Sequence, residues 1–90
     1  MYWDPKPVPG TELEVRPLSA ARMLEFIERE ASEQEKIVLL AAWSAYRGGA
    51  LAWTEAEARE QPFPIVKAVA DLAIVVNGLG DNPVEHAEGN

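Results

Sequence analysis

The stretch PIVKAVADLAIVVNG, residues 64–78, decides how the rest of the chain is read. Pro64 suits the first turn of a helix, where its missing N–H has no partner to lose, and Gly78 offers the left-handed residue that ends one. Between them only Lys67 and Asp71 are charged, and at i,i+4 they stack on one narrow stripe. Val66, Val69, Ala70, Ala73 and Val76 fall on faces that a surface helix makes polar. A chain of 90 residues has little interior in which to wrap such a helix. Either it is the central rod of the domain, or part of its face is kept for another molecule, and the two readings stand level. On the second, the candidate partner-binding residues are Ile65, Val66, Val69, Ala73 and Val76, with Phe63 just before them and Trp3 in the N-terminal arm.

Three further helices are expected upstream. Ser19 caps one beginning at Ala20, with Ala20, Met23, Leu24, Ile27 and Ala31 at helical spacing. Ser32 and Glu35 form a capping box for a second, which runs to Tyr46 or Arg47 and stops at Gly48-Gly49. Its run from Ile37 to Trp43 is apolar on nearly all sides, so it should be central. Thr54 and Glu57 repeat the box for a short third helix, ended by Pro62 and Pro64. Glu25 with Arg29 and Glu55 with Arg59 are i,i+4 pairs.

Residues 1–10 contain Pro5, Pro7, Pro9 and Gly10, so an extended arm outside any sheet or helix is expected. From Thr11 to Arg16 polar and apolar residues alternate, the pattern of a short half-buried strand ended by Pro17. A lone strand is not stable; Ala50–Trp53 is the one candidate partner for a two-stranded ribbon. The expected fold is mainly all-α: a bundle of three to four helices over residues 11–79, with a Pro-rich arm before it. The acidic stretch 80–90, with Val84 its one sizeable apolar residue, is expected to be a flexible tail.

Composition narrows the function. A net charge of −7 argues against nucleic-acid binding, which depends on Lys and Arg at phosphates. With no cysteine and one histidine, His86, neither thiolate nor multi-histidine metal ligation is available to one chain. No cofactor is implied. Glu25, Glu28, Glu30, Glu33 and Glu35 crowd one region, but they alternate with cap and turn residues and read as a solvated face. The serines sit at caps or within helices, and the glycine pairs lack the lysine of a phosphate loop. Nothing supports an enzyme. No basic, apolar leader opens the chain, and no apolar run reaches the ~20 residues that span a bilayer, so a cytoplasmic protein without membrane attachment is expected.

The order of parts resembles the small tail assembly chaperones of long-tailed bacteriophages. A lead-in ending Val15-Arg16-Pro17-Leu18-Ser19-Ala20 precedes a helix through Leu24 and Phe26, and a central helix follows. The turn Arg47-Gly48-Gly49-Ala50-Leu51-Ala52-Trp53-Thr54-Glu55 then leads through a proline to a closing helix that finishes Val76-Asn77-Gly78-Leu79. The likeness spans Val15 to Leu79 and leaves out the arm with Trp3. It implies a non-catalytic helical protein of the bacterial host cytoplasm during infection. Such a protein holds the tape-measure protein and recruits tail-tube subunits during tail assembly. A homo-oligomer is a further option. The alternative reading is a small acidic phage-type inhibitor, a nucleic-acid mimic that blocks a basic site on a host protein. The acidic run from Glu25 to Glu35 motivates it, together with Asp81, Glu85 and Glu88.

Overall fold

The computed structural model describes residues 1–79. It has eight elements: β1 (Lys6–Pro7), β2 (Glu14–Val15), α1 (Ala20–Glu28), α2 (Glu33–Ser44), β3 (Ala45–Arg47), β4 (Ala50–Leu51), α3 (Glu55–Arg59) and α4 (Phe63–Val76). The strands form one antiparallel sheet in the order β1-β2-β3-β4. The expected helical bundle is thereby corrected: 51% of the described residues are helical and 11% are strand, a mixed α/β fold. The expected flexible tail at 80–90, with His86, lies outside the described residues.

Two local events convert a bundle into this fold. The first is at Gly48-Gly49, where both residues have positive φ, 61° and 87°. That sign at both positions is what a two-residue type I′ hairpin turn needs, and it matches the twist of the strands it joins. The glycines therefore turn β3 into β4, pairing Arg47 with Ala50 and Tyr46 with Leu51, instead of ending a helix. Accordingly α2 ends two to three residues earlier than expected: Ala45 leaves the helix at φ −86°, ψ 129°. The second event is in the arm. Lys6 and Pro7 pair with Val15 and Glu14 as an edge strand, the one sheet position where a proline's missing donor costs no ladder bond. Val8 follows into the core and donates its N–H to Leu13 O at 2.9 Å.

The alternation read in residues 11–16 holds, but β2 pairs with β1 and β3 in a four-stranded sheet and not with Ala50–Trp53 in the expected two-stranded ribbon. Leu13 and Val15 are buried, and Val15 lies opposite the equally buried Ala45. On the outer face Arg16 donates to Glu14 at 2.6 Å and stacks over the Tyr46 ring. Against the inner face pack α2 and α4. From Leu39 to Ser44 every residue of α2 is buried, as its all-round apolar run predicts. Trp53 closes this layer and donates its indole N–H to Ala41 O at 3.1 Å.

The end of α4 is tied down twice. Gly78, at φ 70°, lets its N–H reach Val75 O while Leu79 N–H reaches Ile74 O, the paired bonds of a Schellman motif. Asn77 donates to Ala73 O and accepts from Leu18 N–H, both at 2.8 Å, fastening the lead-in of α1 to the end of α4. The arm completes this corner: the Tyr2 ring lies on Gly78 so closely that a Cβ there would stand 3.1 Å from its hydroxyl.

Candidate functional site

The seven residues singled out as a partner-binding set are not brought together. Val66, Val69, Ala73 and Val76 are core residues, each at most 2% exposed, so they have no surface to offer. Ile65 is half-buried against them. Phe63 is 57% exposed at the start of α4, roughly 20 Å from the other end of a fourteen-residue helix. Trp3 is 47% exposed and stands edge-on to Tyr2, which covers Gly78 at that other end. As to the open choice for α4, its central face belongs to the core of this domain. A helix apolar on all sides signals burial, and the sheet supplies the covering layer that the helices alone lacked.

Exposed apolar surface lies instead on α1. None of its side chains is buried, and Leu24 and Ile27 are each 59% exposed. Met23 is half-buried on the same stripe, while Arg22, Glu25 and Glu28 occupy the rest of the surface. Polar ties hold the helix at its ends. Ser19 caps it by accepting from Arg22 N–H, and the Arg22 guanidinium lies 4.4 Å above the Trp43 ring. Beyond its last turn Arg29 donates to Glu55 at 3.1 Å, and Glu55 also accepts from the Trp43 indole. The pairs therefore differ from the i,i+4 expectation: Arg22 serves Glu25, Arg29 serves Glu55, and Arg59 approaches Glu35. The i,i+4 pair of α4, Lys67 and Asp71, closes at 2.9 Å.

Beside α1 runs an apolar groove of about 240 Å³. Its wall on the α1 side is Phe26; α2 contributes Ile37 and Leu40, and the end of α4 contributes Ile74 and Leu79. The last two are set side by side by the Schellman turn at Gly78. Glu33 and Lys36 form the polar rim. The Lys36 ammonium sits 5.0 Å over the Phe26 ring and within 3.5 Å of Ile27 O, which places exposed Ile27 next to the groove. A second, smaller hollow of about 120 Å³ is lined by Leu18, Arg22, Trp43 and Tyr46. Both are below the ~300 Å³ at which small-molecule sites begin.

The groove and the α1 stripe were missed because α4 is the more apolar helix. The signal that marks them is segregation rather than amount: α1 separates its apolar and charged residues into opposite faces, which is how a helix at a surface reads. Among the described residues no group of three or more carboxylates or histidines is placed to hold a metal ion. None of the described helices is long and apolar enough to cross a membrane. Compared with protein-family models, with curated proteins and with solved structures, the chain matches none of them.

Proposed function

We propose that this protein is a non-catalytic binding module that holds an apolar helical segment of a client chain. The observation that carries the reading is α1, a helix with one apolar face, no buried side chain, Leu24 and Ile27 exposed, and Phe26 lining an apolar groove. An isolated domain gains nothing by leaving two large aliphatic side chains in water, whereas a binding surface requires it. Charge supports the same role, since a net −7 keeps a protein with an exposed apolar face from associating with itself.

The sequence resemblance supplies the client's identity: a phage tape-measure protein, to which tail-tube subunits are then recruited during tail assembly. Glu25, Glu35 and Glu55 of the acidic surface are paired with arginines of the same chain, which weighs against the acidic-inhibitor alternative, although Glu28, Glu30 and Glu33 have no ion-pair partner among the described residues. The test is co-expression with the tape-measure chain of the same genome. The client should become soluble and copurify, the complex should survive about 1 M salt, at which surface charge is screened within ~3 Å, and finished particles should lack the protein by mass spectrometry. A tape-measure chain equally soluble alone, or a complex that dissociates in salt, overturns the proposal.

A further inference from the structure

Around the groove the charges are unevenly placed. At the corner where α1 gives way to α2, Glu28, Glu30 and Glu33 are exposed, and none has an ion-pair partner among the described residues. The cations nearby already have partners within the chain: Lys36 has the Phe26 ring and Ile27 O, Arg29 has Glu55, and Arg22 has Glu25 and the Trp43 ring. Among the described residues the rest of the lining, Phe26, Ile37, Leu40, Ile74 and Leu79, is apolar. An occupant therefore meets an apolar trough with Glu33 on its rim and Glu28 and Glu30 at the same α1–α2 corner.

Resting on the binding-module reading, we infer that this groove, with Ile27 of α1 at its border, takes a single amphipathic helix from a partner chain. Its apolar stripe lies on Phe26, Ile37 and Ile74, and its Lys or Arg residues lie at the end beside Glu28, Glu30 and Glu33. A helix fits better than a strand, because helices form the walls and no strand of the sheet lines the groove. A second copy of this chain fits poorly. It brings the same net charge of −7 and the same acidic α1, so like charges would meet across the contact. The apolar stripe supplies the attraction, and the carboxylates set the direction in which the helix lies.

The probes are two synthetic leucine–alanine amphipathic peptides of about sixteen residues, long enough to form a helix, one with lysines and one with glutamates in a terminal turn. Binding to the full chain is read by fluorescence anisotropy, and the contact surface by amide NMR shifts of the unsubstituted protein. The lysine peptide should bind, moving the amides of Phe26, Ile37, Ile74 and Leu79, and the glutamate peptide should bind about tenfold more weakly at low salt. Ile27→Ser should weaken both peptides about tenfold, with an otherwise unchanged amide spectrum because that side chain is exposed. Glu28→Gln with Glu30→Gln should weaken only the lysine peptide. Equal binding of the two peptides, absence of binding, or shifts confined to another face overturns the inference. So does a dimer that Ile27→Ser dissociates, which gives the groove to a second copy, or groove shifts on deletion of residues 80–90, which give it to the chain's own end. The two proposals fail separately. A client kept soluble equally well by Ile27→Ser retains the binding function and removes this surface; peptide binding without any effect on the client does the reverse.

Discussion

The division between core α4 and surface α1 can be measured by matched deletions. Val69→Ala removes two methyl groups from a site with no exposed area. At about 0.8 kcal/mol for each buried methylene-sized group, the transfer loss is ~1.6 kcal/mol. A residual cavity approaching ~50 Å³ adds ~1 kcal/mol at about 24 cal/mol per Å³. The better helix propensity of alanine returns ~0.5 kcal/mol. The net loss is about 2 kcal/mol, equivalent to a fall in Tm of ~8–16 °C for a domain of this size. Ile27→Ala removes more carbon, but from a side chain 59% exposed, and should change stability by no more than ~0.5 kcal/mol. The assay is urea unfolding followed by far-UV circular dichroism, with unchanged m-values so that midpoints report stability alone. Comparable losses at both sites would place the α1 face in the core and remove the reason to call it a binding surface. No loss at Val69 would mean that the α4 face is not closed by this domain.

Gly78→Ala should cost about 1–2 kcal/mol, because the left-handed conformation at φ 70° penalises a Cβ and that Cβ would press on the Tyr2 ring. Faster amide exchange at Leu79 would show the Schellman turn opening with it, and an unchanged midpoint would contradict that role for Gly78. Thr54→Ala breaks the capping box in which Thr54 and Glu57 each accept from the other's N–H. A loss of ~1 kcal/mol by thermal unfolding is expected, and a negligible one would mean that α3 is held by packing alone. Ser44→Ala replaces a fully buried hydroxyl with no hydrogen-bond partner among the described residues. It should be neutral or stabilising by up to ~1 kcal/mol in the same urea assay, and a loss above that would reveal a partner for the hydroxyl.

Much of the chain was legible residue by residue. Ser19, Ser32 and Thr54 cap the helices they were expected to cap, and Gly78 ends α4. The period-two pattern of Leu13 and Val15 found its buried face. What was not legible was pairing. Gly48-Gly49 stops a helix and turns a hairpin with the same positive φ, and only the strands on either side distinguish the two uses. Pro7 looked incompatible with a sheet because a proline is excluded from the middle of one; an edge tolerates it. Long-range neighbours such as Leu18 and Asn77 are 59 residues apart, and no local pattern announces them. The burial of the α4 face has a related cause. Apolar content along a helix marks burial, whereas one-sided segregation marks a surface.

The sheet error and the site error are one physical matter. In a bundle made only of helices, α1 would have to cover α2 and α4, and its apolar stripe would be spent on the core. Here Val8, Leu13, Val15 and Ala45 join α2 and α4 in one core, so less of that core is left for α1 to complete. What remains to hold α1 is a cap at Ser19, a cation over an aromatic ring at Trp43, a half-buried Phe26, and an exposed ion pair to Glu55. Exposed ties of this kind contribute about 1 kcal/mol or less each. They position the helix without locking it, and elements that accept a partner are drawn from such weakly held parts of a fold. The strands supply no residue to the groove lining, and their share of the core is what leaves an apolar helix face free beside it.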